Sequence, residues 1–76
     1  MTKKYPILSE KQTMSCLLRL GFVFVSQKGS HTKLCKVENE SRTIVIIPMH
    51  DELAVGTLKS ILLQANLNLE EFLEEI

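Results

Sequence analysis

The sequence predicts an α+β domain in which one helix, a meander of three antiparallel strands and two further helices follow in chain order. Three observations carry this prediction. A capping-box pattern with helical spacing occupies the first quarter of the chain, three runs rich in β-branched residues lie between residues 22 and 48, and helical spacing returns from residue 57. At 76 residues the chain forms one small domain, 1–76, able to bury roughly 60% of the surface its unfolded form exposes. Apolar residues reach 45% with only three Phe and one Tyr, so the core is drawn mainly from Leu, Ile and Val.

Each element has its own signal. Ser9 with Gln12 three residues later predicts a helix start, Met14, Leu17 and Leu18 continue at helical spacing, and Gly21 supplies the stop, giving a first helix over "EKQTMSCLLRL". "FVFVSQ" reads as the first strand and ends at Gly29. "HTKLCKVE" and "RTIVIIP" flank a polar "NES" turn and give the second and third strands. "TIVIIP" is apolar at consecutive positions, which predicts that both its faces lie against something other than water, one cover being the helices and the other a partner protein, a second copy of the chain or a loop. After a connecting "HDELAVG", "TLKSILLQANL" sets Leu58, Ile61, Leu62 and Ala65 on one helical face, and Asn66 suits the left-handed residue that ends it. Asn68 with Glu71 repeats the capping box ahead of "LEEFLEEI", a short terminal helix whose stripe is Leu69, Phe72, Leu73 and Ile76.

Composition narrows the function classes. Two cysteines far apart, without a secretory leader or membrane-spanning run, point to a reducing, cytoplasmic setting and away from a disulfide scaffold. Formal net charge is zero, yet the first 36 residues hold seven basic side chains against Glu10 alone, while the remaining forty hold eight acids against Arg42 and Lys59. Such asymmetry fits one electropositive side that receives a polyanion; solvated helix and strand faces explain it equally well.

The interruption "SQKGSHTKL" places a titratable imidazole, His31, directly after Lys28, Gly29 and Ser30. A two-residue loop at Asn39 and Glu40 makes paired residue numbers of the second and third strands sum to 79. His31 then opposes Pro48 and lies diagonally from His50, at about 7–8 Å between backbone positions. Imidazole exchanges protons at neutral pH without a metal, and RNA carries its own nucleophile in the 2′-hydroxyl. Lys28 and Lys33 offer charge to phosphate oxygens, and Gly29 and Ser30 offer amides with no bulky side chain in the way. In the simpler alternative Gly29 and Ser30 are only a turn and His31 only a polar residue opening an exposed strand. No metal or cofactor site is expected: four residues along a strand span about 13 Å, too far for His31 and Cys35 to share an ion. Ser30 and His31, as strand neighbours, are expected to point to opposite faces.

"LGFVFVSQKGSH", "IIPMH" and "GTLKSILLQANLNLEEFL", in this order, resemble the HicA toxin family of small mRNA interferases. The resemblance covers most of the chain. It implies a fold similar to double-stranded RNA-binding domains, with helices on one face of a three-stranded antiparallel sheet, and metal-independent cleavage of messenger RNA with His31 as catalytic residue. A HicB-type antitoxin that covers the site, within a toxin–antitoxin complex of higher order, is the implied partner. With the residue reading added, the expected site comprises His31 as general acid/base, His50 as candidate second acid/base, and Lys28, Gly29, Ser30, Lys33 and Lys36 as RNA contacts. A non-catalytic RNA-binding module using the same basic face, and a pure protein-interaction domain built on the doubly apolar third strand, are the alternatives.

Overall fold

Both ends of the first helix are closed by the groups its sequence supplies. The computed structural model describes residues 5–76, so Lys3 and Lys4 of the basic segment lie outside the described residues. Helix α1 spans Glu10–Arg19; the Gln12 amide donates to Ser9 Oγ at 3.1 Å and the Ser9 amide to Gln12 Oε1 at 3.0 Å. At the other end Phe22 N–H donates to the Leu17 carbonyl and Gly21 N–H to that of Leu18, which completes a Schellman motif. Gly21 has φ +103°, a conformation that favours glycine, and its bare Cα lies under the Lys36 side-chain stem.

Strands β1 (Val23–Lys28), β2 (His31–Glu38) and β3 (Ser41–Pro48) form one antiparallel sheet in that order. The β2–β3 register runs from His31 opposite Pro48 to Glu38 opposite Ser41, the constant sum expected of a two-residue loop. Asn39 and Glu40 both have positive φ, 49° and 66°, as a type I′ hairpin turn demands. Between β1 and β2 the register shifts at Val25, which is the extra residue of a bulge.

Leu34, Val45 and Ile47 face the helices and join Leu17, Phe22, Leu58, Ile61 and Phe72 in the core. Helix α2 spans Val55–Ala65 and lies along β3, where Gln64 Oε1 accepts the Ile46 N–H at 3.1 Å and so occupies a donor on the free edge of the sheet. Its final turn again closes with a Schellman pair, Asn66 standing at φ 59°. Helix α3 (Leu69–Leu73) starts from the Asn68–Glu71 capping box and seals the core with Phe72, which has no exposed surface. Cys16 Sγ and Arg19 Nη1 both donate to the Glu75 carbonyl, tying the chain end to α1. Both cysteines are free and buried, and burial pushes the Cys16 thiol pKa up.

Two expectations need correction, and the exposure of two strands adds to the picture. Helix α2 begins at Val55, so Gly56 belongs to its first turn and not to the connection. Helix α3 is shorter than its stripe: Leu69 and Phe72 are buried, whereas Ile76 is 61% exposed. The second cover that the apolar run of β3 calls for is not supplied by this chain, since Ile44 and Ile46, on the face away from the helices, remain more than a third exposed. Every residue of β1 is exposed, including Val23, Phe24 and Val25.

Phe72→Ala, which removes the largest fully buried side chain, is expected to cost about 3–5 kcal/mol, read as a fall in the urea midpoint at unchanged slope. Glu40→Gly relieves a non-glycine residue of its left-handed conformation and is expected to gain about 0.5–1 kcal/mol in the same assay. A loss there would mean that the β2–β3 loop is not this turn.

Candidate functional site

The hairpin turn at Gly29 and Ser30 decides where the chemistry-bearing side chains go. Gly29 has φ +57° and Ser30 does not share the positive sign, the Gly-first pattern of a type II′ turn. Lys28 and His31 are therefore directly paired across β1 and β2, and His31 is paired on its other side with Pro48. The next row on the same face is Ser26, Lys33 and Ile46, and beyond it lie Val23, Cys35 and Ile44. This face looks away from the helices, since the alternate residues Thr32, Leu34, Val45 and Ile47 are those buried against them.

His31 is exposed, as are Lys28, Gly29 and Ser30, while Lys33 is half-buried. The His31 ring lies between two openings. One, of about 440 Å³, is a groove on the sheet face lined by Ser26, Gln27, Lys28, Thr32, Lys33 and Ile46 as well as His31. The other, of about 380 Å³, is a cleft running from His31, Ile46 and Pro48 to Gly56, Thr57, Ser60 and Gln64 of α2. Ser30 Oγ stands 3.5 Å from His31 Nδ1. The two were expected on opposite faces; Ser30 belongs to the turn and not to the strand, so the alternation rule does not govern it. The Ser30 carbonyl accepts the Met49 N–H at 2.7 Å, which fixes the turn to the segment leaving β3.

Lys28, Gly29, Ser30, His31 and Lys33 are thus brought together. Lys36 is not: it pairs with Thr43 on the helix side of the sheet, and its Nζ lies 5.9 Å from the centre of the Phe22 ring. His50 stands just past the strand end, but it lines a separate opening of about 190 Å³ with Ser9, Glu10, Lys11, Met49 and Asp51. Its carbonyl accepts the Glu10 N–H, which anchors the start of α1. Among the described residues no three His, Cys, Asp or Glu side chains converge as metal ligands, and no helix is long and apolar enough to cross a membrane.

The α2 wall of the cleft was not foreseen. Gly56, Thr57, Ser60 and Gln64 read from sequence as a connection followed by the solvated side of a helix, because the apolar stripe of α2 accounts for its burial and says nothing of its polar side.

The arrangement sets an exposed imidazole beside two lysine side chains and a tight turn, on an open sheet face. Among curated proteins none matches the chain. A family model described as the HicA toxin of bacterial toxin–antitoxin systems matches residues 11–67, from within α1 to the end of α2, and so takes in the whole sheet, the turn and the cleft. With that match spanning most of its length, the chain belongs to the HicA toxin family.

Proposed function

We propose that this toxin is a metal-independent endoribonuclease that cleaves messenger RNA, with His31 exchanging the proton that the reaction moves. The observation that carries the reading is the row formed by Lys28, His31 and Pro48, with Lys33 one row behind, which puts one imidazole and two ammonium groups on a single open face. An RNA backbone laid along the sheet-face groove meets Lys28 and Lys33 with its phosphates. The 2′-hydroxyl oxygen attacks the adjacent phosphorus, the bond to the 5′ oxygen breaks, and a cyclic 2′,3′-phosphate and a free 5′-hydroxyl result. His31 takes the 2′ proton or supplies the one that the leaving oxygen needs, and the lysines and turn amides bear the charge that grows on the phosphate oxygens. Contact of Ser30 Oγ with Nδ1 leaves Nε2 as the nitrogen free for substrate. His50 is the candidate for the other proton transfer, a role that requires the RNA to reach from the openings beside His31 to the separate one that His50 lines.

Family membership implies an antitoxin partner, and a HicB-type antitoxin is proposed to silence the enzyme by covering this same face. The support is continuity: Val23, Val37, Ile44 and Ile46 are exposed apolar residues in the rows that lead away from His31. A cytoplasmic location, where messenger RNA is met, follows from the same reading.

His31→Ala is expected to lower cleavage by 10²–10⁴-fold, roughly 3–5 kcal/mol of barrier, with circular dichroism and melting temperature unchanged. The assay is run with chelator across pH 5 to 8, and His50→Ala loses one limb of the pH profile if it is the second acid or base. A folded His31→Ala protein that cleaves at full rate removes His31 from the mechanism, whereas wild-type binding without cleavage favours the non-catalytic module. Lys28→Ala and Lys33→Ala are each expected to flatten the salt dependence of RNA binding by about 0.7 in logarithmic slope. An unchanged slope takes that lysine out of the site.

A further inference from the structure

The two openings beside His31 differ in kind. The sheet-face groove carries Lys28 and Lys33, whereas the cleft against α2 has no lysine, arginine or carboxylate on its walls. Phosphates belong with the lysines; what enters the other side is an uncharged part of the nucleotide. One wall of that cleft is apolar, made by Ile46 and Pro48, and the other presents hydrogen-bonding groups from α2.

Those groups are already oriented. Gln64 Oε1 is occupied by the Ile46 N–H at 3.1 Å, and Gln64 Nε2 donates to Ser60 Oγ at 3.3 Å. This leaves one Nε2 proton and the Ser60 hydroxyl proton to be donated elsewhere. Two donors opposite an apolar wall, one on a carboxamide held by its own hydrogen bonds and one on a rotatable hydroxyl, suit a flat heterocycle that carries carbonyl or ring-nitrogen acceptors on its edge.

Gly56 points the same way. It lies in the first turn of α2, without the left-handed φ that would demand glycine, and a Cβ there would meet nothing within 4 Å. Neither backbone nor packing requires glycine, and a better helix former would favour the helix by up to about 1 kcal/mol. What its bare Cα does is widen the cleft next to His31.

We propose that the cleft between His31 and helix α2 is a nucleobase-binding subsite, in which Ser60 and Gln64 donate hydrogen bonds to the base edge, Ile46 and Pro48 pack on the ring, and Gly56 leaves the space that the base fills. The proposal rests on the reading of the adjacent His31 site as an RNA site. It makes the subsite the source of a base preference beside the scissile phosphate.

The test uses the four ribonucleosides, which lack phosphate, added at millimolar concentration to the isotope-labelled full chain and followed by NMR. The amides of Gly56 and Thr57 and the Gln64 side-chain amide are expected to shift, with one base shifting them most, while Lys28 stays in place. Gly56→Leu is expected to fold with an equal or higher melting temperature and to lose these shifts. Ser60→Ala is expected to weaken the preferred nucleoside about fivefold to tenfold, the worth of one neutral hydrogen bond. No shift at α2 with any nucleoside overturns the proposal even if the protein cleaves RNA. Undiminished nucleoside binding by folded Gly56→Leu overturns it as well. Shifts at α2 from a wild-type protein that cleaves nothing support the subsite and sink the nuclease reading instead.

Discussion

Strand register is the constraint on which the site depends. Two tight turns, Gly29–Ser30 and Asn39–Glu40, hold His31 opposite both Lys28 and Pro48, and the bond from Met49 N–H to the Ser30 carbonyl closes the same end of the sheet. Because side chains alternate with a period of two, a slip of one residue would send His31 toward the helices and Thr32, which is buried, out to solvent. The fold tolerates no such slip. Leu34, Val45 and Ile47 are fully buried, and exposing that row would cost on the order of 1.5–3 kcal/mol for each side chain. The packing that stabilises the inner face therefore also fixes the position of the imidazole on the outer one.

The two free edges of the sheet are treated differently. At β3 the Gln64 side chain occupies an edge amide, and the same carboxamide orients Ser60 toward the cleft, so edge protection and preparation of the cleft wall share one residue. At β1 no helix intervenes. The bulge at Val25 disturbs the regular row of edge groups, yet Val23, Phe24 and Val25 stay about half exposed or more. An apolar edge of this kind is open to strand pairing with another chain.

Much of this was legible in the sequence because local signals and tertiary outcome agree. Both capping boxes, the αL position of Asn66 and the two-residue loop at Asn39–Glu40 follow from short-range chemistry that tertiary packing has no reason to overrule. Where several outcomes satisfy the same pattern, the sequence was less informative. Consecutive apolar residues in β3 are compatible with burial on two faces or with one exposed apolar face, and the helices of this chain cover only the face of Val45 and Ile47. Lys36 looked like one more member of a basic cluster; parity sends it to the helix side, where it lies over Phe22 and against Gly21. The Val25 bulge and the α2 wall left no periodic trace at all.

Charge then closes the argument about direction of approach. The acids of the C-terminal quarter sit on or beside α3, which joins the helix layer through the contacts of Glu75 with Cys16 and Arg19. Glu38 and Glu40 lie at the β2–β3 loop, the end of the sheet opposite the Gly29–Ser30 turn. Lys28, Lys33 and Arg42 remain on the outer face. A chain with no net charge thereby gathers cationic side chains on the face that carries His31, while the glutamates of α3 and of the β2–β3 loop lie in the helix layer or at the far end of the sheet. Zero net charge and a local cationic face are compatible because the domain is folded, and the register that places His31 is also what separates the charges.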